Sequence, residues 1–168
     1  LIIWLAHTEE LCQQAHDEFS KAWEIIGNAK IKSYKLFKNF RYDLNDINSG
    51  FVVLSLDYAY SLTKTKQSLF FALARKCDFV VMDEAHMSVA PSYQQVLDIL
   101  VNKETYLLGL TATPGRAEIG SDENIKLAKF YNKQKVTLNI MGYKTPIDFL
   151  QDKNYLAAVE REQLEVST

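Results

Sequence analysis

VVMDEAHMS, residues 80–88, takes an apolar run straight into two adjacent carboxylates and then a histidine. Carboxylates are seldom set against a core unless something binds them. Two readings are open. Either Asp83 and Glu84 begin a loop or cap the next helix, or they hold a metal ion and activate a water. What lies at the same end of the neighbouring strands bears on the choice.

Apolar runs alternate with helical patterns on both sides of this stretch. Leu1–Ala6, Phe51–Leu56, Phe79–Met82 and Tyr106–Leu110 read as short buried strands. The spacing predicts helices over Thr8–Ile26, about Gln67–Lys76, Tyr93–Val101 and around Ile125–Tyr131. In the first of these, Leu11, Cys12, Ala15, Phe19, Ala22 and Ile26 keep helical spacing, with Thr8 as N-cap and Gly27-Asn28 as the stop. Lys30–Phe37 reads as an edge strand or extended loop, 41–50 and 112–123 as loops, and Lys135–Ile140 as a last strand before a mixed tail.

Such alternation predicts an α/β fold with a parallel sheet and helices on both faces. Right-handed crossovers then bring the carboxyl ends of the strands to one edge, where open α/β sheets bind ligands. The stretches at that edge are AHTEE (6–10), SLDY (55–58), DEAH (83–86) and TATPGR (111–116). Each is polar and begins where an apolar run stops.

A chain of 168 residues, 48% hydrophobic, can bury one good core. Its formal net charge of −2, with acids and bases intermixed, gives no overall field for a polyanion. Cys12 and Cys77 stand alone without CxxC spacing, which argues against a zinc site or disulfide framework and for a reducing, cytoplasmic compartment. No apolar run approaches the ~18 residues that span a bilayer, so no membrane partner is expected.

Phosphoanhydride hydrolysis needs a divalent cation on the phosphates and a water aimed in line. An aspartate at a strand end suits magnesium, which keeps much of its water shell. A neighbouring glutamate suits the proton of the attacking water. Asp83 and Glu84 fit those roles in that order, with His86 a little further along the turn. The strand ending at Leu110 follows by one helix, so Thr111 and Thr113 should present hydroxyls near these carboxylates.

DEAH followed by TATP resembles the first RecA-like domain of superfamily 2 helicases, with VVMDEAH as motif II and LTATP (110–114) as motif III. AHTEELCQQ (6–14) is similar to motif Ia, and FVVLSLDYAYSL (51–62) to the motif Ib region. GLTATPGR (109–116), with IKLAKFYN (125–132) and PIDFLQDKNYLA (146–157) beyond it, resembles the branch containing type III restriction-enzyme helicase subunits. The resemblance implies a three-layer RecA-like, P-loop NTPase-like sheet. It implies Asp83 on Mg2+, Glu84 polarising the attacking water of ATP hydrolysis, and His86 with Thr111, Ala112 and Thr113 coupling nucleotide state to a second RecA-like domain. It also implies that Ala6, His7, Thr8 and the Ser55 region touch the backbone of DNA or RNA. For His7 a polar residue at a helix start, and for Ser55 a strand terminus, are the plain alternatives.

One family element is missing from these residues: none of the six glycines sits in GxxxxGK[ST]. Gly115–Gly120 has GxxxxG spacing, but Ser121-Asp122 follows instead of Lys-Ser/Thr. The expectation is therefore a helicase fragment lacking the phosphate-loop strand, inactive alone. Residues 1–150 would be a partial RecA-like domain and 151–168 an exit towards a second one. A degenerate RecA-like interaction module is the alternative, and a nuclease or another magnesium-dependent hydrolase, drawing on Glu9, Glu10 and Asp57, is a third. KIKSYKLFKNFRY (30–42) is the best local basic patch, read as either a nucleic-acid contact or a lysine-guarded edge strand with its aromatics in the core.

Overall fold

The computed structural model describes residues 1–40, 42–113, 122–136 and 139–157. Strands β1 (Ile2–Ala6), β2 (Ser33–Leu36), β3 (Phe51–Ser55), β4 (Phe79–Asp83) and β5 (Tyr106–Leu110) form one sheet in the order β2-β3-β1-β4-β5. Every pairing is parallel. The helices are α1 (Glu9–Ile26), α2 (Leu56–Thr65), α3 (Gln67–Ala74), α4 (Pro91–Leu100), α5 (Asp122–Phe130) and α6 (Pro146–Asp152).

Strand alternation sends side chains to two cores. Ile3, Leu5, Leu36, Val52, Leu54, Val80 and Met82 pack with Leu56, Leu62, Phe70, Leu73, Val96 and Leu97 from α2, α3 and α4. Phe51 and Val53 face the other way, with Cys12, Leu11, Ala15 and Phe19 of α1, and Phe19 stacks on Phe51 at 3.7 Å between ring centroids. Helices therefore cover both faces, as the RecA-like α/β architecture requires.

Local chemistry fixes the element ends. The Thr8 hydroxyl accepts the Leu11 N–H at 3.2 Å and starts α1. Ser55 does the same for α2, accepting the Tyr58 N–H at 3.3 Å. Gly27 ends α1 with an ordinary negative φ of −69°, so close approach demands the glycine: a Cβ there would lie 2.3 Å from the Trp23 carbonyl oxygen. Gly50 is the opposite case, at φ +123° where the chain re-enters the sheet.

Several expectations are corrected. Helix α2 occupies Leu56–Thr65, where no helix is predicted, and α4 starts two residues early because Pro91 is well suited to the first helical position. Ile26 is 78% exposed rather than in the core. The reason is length: 18 helical residues run about 27 Å, whereas a five-residue strand covers roughly 17 Å. Within 41–50, residues 44–46 form a 3₁₀ turn that drops Leu44 and Ile47 into the core. The expected strand at Lys135–Ile140 is not seen in its described residues; 137–138, like residues 114–121 of the expected loop, lie outside them.

Leu1–Lys133 make one compact unit and Gln134–Thr168 a second. Helix α6 belongs to the second and is held by a capping box, Thr145 Oγ1 accepting the Asp148 N–H while Asp148 accepts the Thr145 N–H. Among the described residues, no helix is long and apolar enough to cross a membrane.

Candidate functional site

Parallel register delivers the four polar stretches to one edge. Ala6 pairs with Ser55, Leu5 with Met82 and Asp83 with Leu110, so the residues that follow each strand emerge side by side. Asp83 is half-buried as the last residue of β4, and its Oδ1 accepts the Glu84 N–H at 2.9 Å. Glu84 then adopts a left-handed backbone, φ 51° and ψ 52°, which turns the chain out of the strand into a 3₁₀ turn over Ala85–Val89. Buried Ala85 and Ser88 anchor that turn, while the Glu84 side chain stays 42% exposed.

His86 joins the two central motifs. Its side chain is nearly buried, with Nδ1 3.1 Å from Thr111 Oγ1 and 3.2 Å from Glu84 Oε2. One ring nitrogen thus stands between the DEAH carboxylate and the TATP hydroxyl. Thr111 Oγ1 also accepts the Thr113 N–H at 3.1 Å, folding TAT into a tight hydroxyl turn. Ala112 and Thr113 are exposed, and residues 114–116 of the motif lie outside the described residues.

The expected nucleic-acid residues are each engaged locally. His7 Nδ1 lies 2.7 Å from the Tyr93 hydroxyl, with the two rings edge to face at 5.8 Å. Burial first, and then the Asp57 charge, hold the Tyr93 phenol above its ordinary range. Thr8 and Ser55 spend their hydroxyls on helix capping. Both caps leave the amide-rich starts of α1 and α2 at the same sheet edge.

Other contributors carry no signal in the sequence. Ser88 Oγ lies 2.8 Å from the Tyr131 hydroxyl, tying the 85–89 turn to the end of α5. Gly109 on β5 sits under that ring: a Cβ would come 2.6 Å from Tyr131 and 2.7 Å from Ala85 Cβ. Cys12 lies beneath the edge with its thiol towards the Ala6 carbonyl. Desolvation, helped by the Glu9 and Asp83 charges, pushes that thiol up to about 12. A cavity of about 430 Å³ opens beside His86, walled by Met87, Val89, Pro91 and Leu127, with Glu123 and Lys126 on the α5 side.

Among the described residues, no three His, Cys, Asp or Glu side chains converge as a metal cage. A lone strand-end carboxylate nevertheless fits Mg2+, which takes one or two protein carboxylates and otherwise waters and phosphate oxygens. The phosphates themselves have no such fit, because no GxxxxGK[ST] cradle occurs in these residues.

Residues 2–116 match the family described as type III restriction enzyme, res subunit. The chain belongs to that family. The match spans all five strands and the whole DEAH–TATP edge, and it stops before α5 and the second unit. A comparison with curated proteins finds no match. The res-subunit family is helicase-like and is associated with ATP-dependent action on nucleic acid, generally with Mg2+.

Proposed function

We propose that this res-subunit chain carries the magnesium and water half of an ATPase site that drives movement along DNA or RNA. The observation that carries the reading is the His86 bridge, with Nδ1 within 3.2 Å of Glu84 and 3.1 Å of Thr111. A pair of acids ending a strand merely to cap a helix has no use for such a link.

Asp83 is the Mg2+ ligand, through Oδ2 or its water shell, since Oδ1 is taken by the Glu84 N–H. Bound there, the ion would neutralise phosphate charge and orient the leaving group. Glu84, solvent-accessible and oriented by His86, accepts the proton of the attacking water. His86 passes a change at Glu84 to Thr111, and Thr111 to Thr113, as the link to nucleic acid and to a second RecA-like domain. Ala6, His7, Thr8 and Ser55 line the backbone path, with the helix starts of α1 and α2 supplying amides. The 168 residues alone are inactive because the phosphate cradle is not among them.

Two measurements test the reading. The coding sequence upstream of Leu1 should contain GKT or GKS roughly 20–40 residues away, the length of one βα step. In a chain extended to include it, Glu84→Gln should lower nucleic-acid-stimulated ATP turnover by about 10²–10⁴-fold while the protein still binds Mg-ATP. An open frame without the loop, or a Glu84→Gln variant that turns over normally, would sink it and favour an interaction module.

A further inference from the structure

The basic, aromatic stretch 30–42 divides in the structure. Its first half is a guarded edge strand: Leu36 and Phe37 are fully buried, and Tyr34 packs on the α2–α4 core. Its second half behaves differently. β2 runs in register with β3, Leu36 opposite Leu54, so the turn that follows emerges at the same carboxyl edge as Ser55 and Ala6. Lys38 takes a left-handed φ of 52° and reverses the chain there. Phe40 remains 44% exposed, edge-on to Phe37 at 5.9 Å, and its N–H bonds the Phe37 carbonyl at 3.1 Å. The Lys35 ammonium sits 5.4 Å from the centre of the Phe40 ring.

The turn also lies against the start of α1. Lys35 Nζ donates to Gln13 Oε1 at 3.4 Å. One helical turn earlier, Glu10 is held below the ordinary carboxylate range by its own backbone and by Thr8, and Lys38 adds to the effect. Lys38 and Lys35 thus lie beside the first turns of α1, and Phe40 lies beneath Lys35. Residues 29–42 contain five lysines or arginines and no carboxylate.

We propose that the turn leaving β2 is a further contact for single-stranded nucleic acid, in which Phe40 stacks on one base and Lys38 takes an adjacent phosphate. Lys35, held over the ring, adds its charge to the stack. The contact lengthens the backbone path of Thr8 and Ser55 at the β2 side, and it rests on the nucleic-acid reading of that edge. An aromatic ring beside a cationic backbone track is how single strands are held without sequence preference.

Fluorescence anisotropy with labelled oligo-dT and oligo-U of about 12 nucleotides, within the usual site size, tests this on the 168-residue chain. Phe40→Ala should weaken binding roughly 5- to 100-fold, while Phe40→Tyr, which keeps a stacking face, should bind as the parent does. Lys38→Gln should weaken binding on both strands and lower the slope of log K against log salt by about 0.7. Unchanged melting temperatures show that the variants fold. A parent that binds while Phe40→Ala and Lys38→Gln bind equally well overturns this contact and leaves the edge reading intact. Equal loss in Phe40→Tyr and Phe40→Ala also overturns it, since the ring would then matter only to the turn. A parent that binds neither strand at low salt removes the edge reading, and this contact with it. Binding of one strand but not the other keeps the contact and identifies the nucleic acid.

Discussion

The two outer strands of the sheet, β2 and β5, have similar length and direction but opposite surroundings. β2 uses both faces, with Leu36 in the α2–α4 core and its immediate successor Phe37 in the α1 core; Lys35 lies within it, with Lys32 and Lys38 close on either side. β5 uses one. Leu107 packs inward and Gly109 faces Tyr131, but Tyr106, Leu108 and Leu110, on the α1 side of the sheet, are 73%, 44% and 37% exposed. Helix α1 packs on the β2-β3-β1 half, and this row of β5 is left exposed. A polar or cationic outer face is the usual protection of an edge strand. Three apolar side chains in one row are the reverse, a surface suited to being covered. YLLGL at 106–110 reads as a strand buried on both faces, and in this structure only half of that burial is used.

The sharpest way to break the comparison is to delete the same group on each side. Leu54→Ala in β3, at a fully buried position, should lower unfolding free energy by about 2–5 kcal/mol in urea titration. Leu108→Ala should stay within about 0.5 kcal/mol. The next effect runs against size. Gly109→Ala adds one methyl on the inner face of β5 against Tyr131 and Ala85 and should destabilise by about 1–3 kcal/mol, more than truncating Leu108 next to it. A smaller effect comes from Leu108→Lys with Leu110→Lys, which should leave the melting curve nearly unchanged and reduce binding of a hydrophobic dye. Equal dye binding before and after would show that the β5 face is not the exposed apolar surface.

The last effect is confined to alkaline pH. Desolvation raises the Cys12 thiol to about 12 and Cys77 to about 11, both above the value of 9.0 for a free thiol. The folded protein therefore holds these protons longer than the unfolded chain. Stability should be indifferent to them below pH 9 and fall as pH rises towards 11–12, at a slope of about 1.4 kcal/mol per pH unit per thiol. At pH 8 neither should react with a thiol reagent until the protein unfolds. Reaction of Cys12 in the native state would mean that the packing of α1 on the sheet is looser than described.

Much of this architecture was legible because buried parallel strands announce themselves as short apolar runs, and β1, β3, β4 and β5 all do. The meeting of DEAH and TATP was legible too, since parallel topology returns every strand end to one edge. Helix α2 was not. Ser55 ends β3 and caps α2 in the same residue, so no turn residue separates the two elements. Helix α6 had its signal in Thr145 and Asp148, on a run of only seven residues. The partners of the edge were beyond reach: His7 finds Tyr93 across 86 positions, and Ser88 finds Tyr131 across 43. Periodicity reports which face a side chain takes, never which distant side chain it meets there. Phe40 and Phe37 make the same point within a few residues, one exposed and one buried in a stretch of uniform composition.

Glu84 combines two tasks in one residue, a carboxylate and a left-handed turn at φ 51°. Substitutions there are consequently mixed experiments. Alanine removes the acid and keeps the unfavourable backbone; glycine removes the acid and relieves the backbone, so the two differ by conformation alone. Only glutamine varies charge with shape and backbone preference nearly held. A stability series across Gln, Ala and Gly at this single position therefore separates what the turn demands from what the acid does, without any substrate present.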